Sequence, residues 1–237
     1  MKNLILSFLL CLISFSTFAQ DDFMDEAIRI TDEKDSYITL MDGTELVGRV
    51  KDLDRKKGLL EEVTIKLEDG KKKKLKPEDI KYMYLPPSGL SKYINAVDKA
   101  TDINKMQKDA SNSKAMMRPG YFYFESSEVL LKKKKLTLLL QMMNPSFSSK
   151  IKVFNDPYAK ETMSVGIGGM TMAGGDAKSY YVKVGDEPAF RLYKKNYDEE
   201  LEHLYQSCPA LKSQFSDGMF WSKFSKHVLA YDQSDCK

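Results

Sequence analysis

The chain has 237 residues, with 37 Lys+Arg against 34 Asp+Glu, 42% hydrophobic and 30% charged residues, three Cys, two His and one Trp. That balance excludes a multispanning membrane protein, a collagen-like or low-complexity chain, a cysteine-dense miniature scaffold and an acidic disordered one. A net charge of +3 falls short of the strongly basic domain of a phosphate-tracking protein, so nucleic acid is not the expected partner.

Lys2 precedes an apolar run from Leu4 to Phe18, and Thr17-Phe18-Ala19 stands before Gln20. Residues 1–19 therefore read as a secretory signal peptide with small residues at its cleavage site. The run is shorter than the roughly 20 apolar residues that cross a bilayer, so no transmembrane segment is expected after cleavage. The expected location is periplasmic or extracellular. Cys11 follows Leu10 rather than the small residue of a lipoprotein signal, and it leaves with the signal. Cys208 and Cys236 remain, and in an oxidising compartment they predict one disulfide. The competing reading is a catalytic thiol at Cys208 with His203 or His227 as its base.

Residues 20–36 form an acidic lead-in without sustained periodicity, expected to be loosely ordered. Alternation begins at Tyr37, and Asp42-Gly43, Lys57-Gly58 and Asp69-Gly70 mark turns between short apolar runs. Five strands are predicted over residues 37–85, with one helical turn at Pro77 to Ile80 before the last. The strand number and spacing resemble a small barrel of the SH3-like or Sm-like kind, a scaffold that serves many functions.

Pro86-Pro87-Ser88-Gly89 can continue neither a central strand nor a helix and predicts a boundary. The linker 86–119 carries an amphipathic helix from about Ser91 to about Lys108, read from Tyr93, Ile94, Val97 and Ala100. Residues 120–195 are strand-rich, with Met163 to Ile167 and Met170 to Met172 among the candidates, and predict an antiparallel β-sandwich or open barrel of seven or eight strands. Leu136 to Met143, polar only at Thr137 and Gln141, predicts a strand buried on both faces. Residues 196–237 predict a helical end packed on this domain, with Asn196 and Glu199 as a capping box, Pro209 in a first helical turn, and Trp221, Phe224, Val228 and Tyr231 as the last apolar stripe. The fold class is thus mainly β (α+β): a five-stranded barrel, a linker helix, an antiparallel β domain and a disulfide-tied helical end.

Linear motifs for chemistry are missing. The glycine-rich stretch from Gly166 to Gly175 invites a phosphate-loop reading, but Asp176 and Ala177 separate Gly175 from Lys178-Ser179. A hairpin turn at Gly174-Gly175 fits better. His203 and His227 do not have metal-ligand spacing, and neither a zinc-protease helix motif nor an EF-hand loop occurs. Glu61-Glu62 and Glu199-Glu200 are adjacent in sequence, so each pair diverges on a strand or helix. Neither a cofactor nor a metal is expected, and no catalytic residue is assigned.

Two lysine runs, Lys71, Lys72, Lys73, Lys74 and Lys132, Lys133, Lys134, Lys135, sit between predicted strands. They read as solvated hairpin edges that resist edge-to-edge association, or as a cationic surface for an anionic envelope surface, a polysaccharide or nucleic acid, the last mostly out of reach after export. In Tyr121-Phe122-Tyr123-Phe124 the Phe pair is expected in the core, and Tyr121 and Tyr123 on an outer face that could bind a sugar ring or a peptide.

Four stretches carry a resemblance: Leu138 through Asn144-Pro145; Ile151 through Asp156-Pro157; Gly166-Ile167-Gly168-Gly169 through Val182; and Cys208-Pro209 through Cys236. Over about residues 120–237 they resemble uncharacterised exported proteins of flavobacteria and related Bacteroidota, which implies a Gram-negative envelope or extracellular setting and no particular activity. The expectation is an exported, non-catalytic interaction or structural module whose partner is an envelope protein, a polysaccharide or an anionic surface. The rival is an envelope-polymer hydrolase without a linear motif.

Overall fold

The computed structural model describes residues 22–27, 29–89, 118, 120–159, 179–206 and 208–236. The signal peptide, the linker helix, the glycine-rich stretch and the two strand candidates between Met163 and Met172 lie outside them.

The protein is mainly β. The strands are β1 (Ser36–Leu40), β2 (Glu45–Lys56), β3 (Leu59–Leu67), β4 (Lys72–Leu75), β5 (Ile80–Leu85), β6 (Phe122–Leu131), β7 (Lys134–Gln141), β8 (Ile151–Asn155), β9 (Ser179–Val184) and β10 (Ala189–Tyr193). The predicted turns fall where glycine takes positive φ: Gly43 at 86°, Gly58 at 83° and Gly70 at 82°. The predicted helical turn is a 3-10 helix at Pro77–Asp79.

All ten strands join in one mixed sheet, in the order β4-β3-β2-β1-β5-β6-β10-β9-β8, with β7 pairing both β3 and β6. Among the described residues β1 to β5 do not close on one another. Closure comes from the β6–β7 hairpin: β5 pairs β6 from Tyr82↔Glu125 to Leu85↔Phe122, and β7 meets β3 at Leu60↔Leu139. Strands on either side of the 86–119 segment are therefore direct neighbours. The strands β1, β2, β3, β7, β6 and β5 form a ring around Ile38, Val50, Val63, Ile65, Ile80, Met83 and Leu85.

A second ring uses other stretches of the same outer edges of this hairpin. Strand β6 pairs β10 at Ala189↔Val129, β10 pairs β9, β9 pairs β8, and Met142 beyond β7 bridges Phe154 of β8. The β6–β10 pair is parallel, which corrects the purely antiparallel expectation. Period-two alternation lets one hairpin serve both interiors. Phe122, Phe124 and Leu139 enter the first, while Tyr123, Val129, Leu138, Leu140 and Met142 enter the second. Burial on both faces holds from Leu138 to Met143, whereas Leu136 is exposed.

Helices α1 (Tyr197–Tyr205), α2 (Pro209–Gln214) and α3 (Phe224–Gln233) cover the outer face of β8, β9 and β10. Ile151, Val153, Val182 and Leu192 meet Leu204, Leu211, Trp221, Phe224, Val228 and Tyr231 there, as the predicted stripe requires. Pro209 occupies the first turn of α2. The Asn196 side chain makes no cap bond to α1; its Oδ1 accepts from the Tyr193 N–H instead. Cys208 and Cys236 are disulfide-bonded, with their Cα atoms 5.8 Å apart.

The lead-in is tied down, contrary to its expected looseness. Phe23 packs among Phe147, Tyr180 and Phe224 at ring separations of 5.2 to 6.2 Å. The Met24 N–H donates to the Met143 carbonyl, and Ile30 bridges Pro87. The acidic composition concealed one aromatic anchor and backbone bonds that need no side-chain pattern.

Candidate functional site

The registers of β8, β9 and β10 assemble a polar cluster at one end of the second ring. Asn155 opposite Tyr180 sets Asp156 beside Ser179, and Arg191 stands opposite Tyr181. The Asp156 side chain is wholly buried. One oxygen accepts from the Tyr158 N–H at 3.0 Å, and the other from the Ser179 hydroxyl at 2.6 Å and from Arg191 Nε. A buried carboxylate so fully engaged is a fixed acceptor rather than a free base. Burial opposes the charge on Arg191, but the Asp156 carboxylate outweighs it and holds the guanidinium above its ordinary pKa.

The Arg191 guanidinium lies 5.3 Å from the Tyr158 ring centre and 5.0 Å from that of Tyr193, and Lys195 Nζ is 5.6 Å from the latter. Among the described residues the hydroxyl of fully buried Tyr181 has no hydrogen-bond partner. Burial, followed by the Asp156 charge, pushes its pKa well up, so it remains a neutral donor.

A second feature is a cavity of about 340 Å³ between the lead-in and β2, lined by Arg29, Ile30, Asp32, Val50, Lys51 and Leu53 among others. Strand β1 covers β2 only as far as Gly48, and Asp52 to Lys56 pair with β3 on their other side, after a register shift at Lys51. The chain bends away after β1's upstream end and pairs with Pro86 to Ser88 instead, through Thr31 N–H to Pro86 O and Ser88 N–H to Arg29 O. Lys51 Nζ bonds Asp32 at 2.6 Å, and this bond pulls the Asp32 pKa down.

The lysine runs lie on separate hairpins, β3–β4 and β6–β7. Lys71 pairs with Asp69 at 3.0 Å, Lys74 with Glu62 at 2.7 Å and Lys135 with Glu128 at 3.7 Å, all at exposed positions. Lys132 and Lys133 take φ of 47° and 68° and form the tight hairpin turn. Tyr123 is not on an outer face: it is 8% exposed, packs against Tyr82 and Tyr84, and donates to Glu125. The second ring, behind β6, is what buries it. Tyr121 is half-buried with its ring 5.8 Å from Tyr37, over which Arg118 lies.

His203 is exposed, stacked on Phe190, with Glu187 at 3.0 Å and Glu200 at 3.2 Å. Burial works against it, but the two carboxylates raise its pKa. His227 is fully buried; its Nδ1 shares a hydrogen bond with the Tyr197 hydroxyl at 2.6 Å, and Tyr197 meets Tyr205 at 2.8 Å. Neither imidazole has a thiol partner at Cys208 or Cys236, since these two are joined in the disulfide. The Asp156–Arg191 cluster had no linear signal, because its members come from three strands whose registers align them.

Among the described residues no group of three His, Cys, Asp or Glu side chains is placed to hold a metal ion. No described helix is long and apolar enough to cross a membrane. No protein-family model, curated protein or solved structure matches the chain.

Proposed function

We propose that the protein is an exported, non-catalytic binding module of the bacterial cell envelope, related to the flavobacterial proteins that its C-terminal half resembles. The order β4-β3-β2-β1-β5, with a 3-10 turn before β5, supports an SH3-like lineage for the first ring. The observation that carries the reading is the cavity beside β2, where a mixed lining of apolar and charged side chains borders the Lys51 to Lys56 edge. An extended segment of an envelope protein can add to such an edge through backbone hydrogen bonds, and the alternating lining would select its side chains.

The test is capture of envelope fractions by the mature protein at low and high salt, comparing wild type with Leu53→Arg and Asp52→Lys. The expected result is a partner retained by wild type, weakened by salt and lost in both variants while their circular dichroism is unchanged. Release of reducing ends or peptide fragments from purified envelope polymers by the protein alone would overturn the reading in favour of a hydrolase.

A further inference from the structure

We propose that the Arg191 fork at the end of the second ring is a receptor for the carboxylate of an acidic sugar. Arginine binds a carboxylate best when the plane of its guanidinium is already fixed and two N–H groups point the same way. Here the orientation is set from behind. Arg191 bonds to Asp156 through Nε, and Asp156 is itself held by Ser179 and by the Tyr158 backbone. Among the described residues the Nε bond is the hydrogen bond that the Arg191 side chain makes, which leaves the Nη1 and Nη2 edge to an external acceptor. The side chain is 23% exposed while Asp156 is wholly buried, so solvent reaches Arg191 but not the carboxylate behind it.

Charge and surroundings narrow the ligand. The buried carboxylate neutralises Arg191, and Lys195 beside Tyr193 restores a positive bias at the rim. Tyr158 and Tyr193 flank the guanidinium, and phenol hydroxyls and aromatic faces suit the hydroxyl and C–H groups of a pyranose. A sugar acid presents a planar carboxylate on such a ring. This site is separate from the cavity beside β2, so either reading can fail without the other.

The experiment is a titration of the mature protein, followed by NMR at the Arg Nε–H signals, with sodium glucuronate, glucose, inorganic phosphate and an N-acetylated dipeptide with a free C-terminus. Glucuronate is expected to give a saturable shift of the Arg191 signal and glucose none. Arg191→Lys, which keeps the charge and loses the fork, should weaken glucuronate about tenfold or more. Tyr193→Phe, which preserves the ring, should weaken it less and serves if Arg191→Lys does not fold. Tighter binding of phosphate or the dipeptide, an equal response to glucose, or an unaltered affinity in both variants would overturn the proposal.

Discussion

Gln141 holds the backbone of Ala27 across 114 residues of sequence. Its Oε1 accepts the Ala27 N–H at 2.8 Å, and its Nε2 donates to the Asp25 carbonyl at 2.8 Å. A side-chain amide thus imitates a strand and seats the lead-in against the end of β7. Gln141→Ala removes both bonds and should cost about 1–3 kcal/mol of stability. Amide exchange at Ala27 should speed up more than exchange at Ile38 or Val63, and equal protection of Ala27 in the variant would show that the lead-in is held by other contacts alone.

His227 is expected to make the protein acid-labile. Burial first, and then the Lys223 charge, lowers its pKa from an ordinary 6.5 to about 4. Among the described residues its buried Nε2 has no partner, so a proton there would find no acceptor among them. Between pH 4 and 6.5 the unfolded chain binds the proton that the folded chain refuses. Stability from this group is therefore full above pH 6.5 and is lost as the pH falls towards 4, by about 3 kcal/mol. Urea unfolding across that range should show the slope in wild type and its reduction in His227→Phe; an identical slope in both would assign acid lability to other groups.

The Cys208–Cys236 bridge closes a separation of 28 residues, for which chain entropy gives roughly 3–4 kcal/mol. Reduction should loosen α2 and the end of α3 first, because the bridge joins the residue before Pro209 to the stretch after Gln233. The measurement is thermal unfolding with and without reductant, together with amide exchange. A lowered midpoint is expected, with protection of β1 to β5 kept below the transition.

Gly48 is required by proximity rather than by a turn. A Cβ built there would lie 2.3 Å from the Lys66 carbonyl oxygen, and a paired strand cannot yield that space without breaking the β2–β3 register. Gly48→Ala should destabilise by about 1–3 kcal/mol. The control is Gly70→Ala, which meets no neighbouring atom and is strained only through its φ of +82°; an undisturbed Gly48→Ala would place the strain elsewhere.

Elements whose cause is local were legible in the sequence. Asp-Gly and Lys-Gly turns with the Pro77 turn place five strands, the apolar stretch through Met143 marks a strand buried on both faces, and the stripe from Trp221 to Tyr231 marks the last helix. Features made by register were not. The parallel β6–β10 contact, the Arg191–Asp156 cluster and the Gln141 clamp depend on partners 35 to more than 100 residues apart, and no period announces them. Tyr123 was misplaced for the same reason, since alternation assigns a residue to a face but not what covers that face.

Because Phe124 and Leu139 belong to one interior and Tyr123, Leu138 and Leu140 to the next, the β6–β7 hairpin is a party wall. Each half would be left open on one side if the other were removed, so neither is a fragment that can be expressed and expected to fold. Heat or denaturant should meet a single cooperative unit in the two rings, with their stabilities shared through this hairpin. A packing defect at Leu139 would then be felt at β1 and, through its neighbours in the hairpin, at β9.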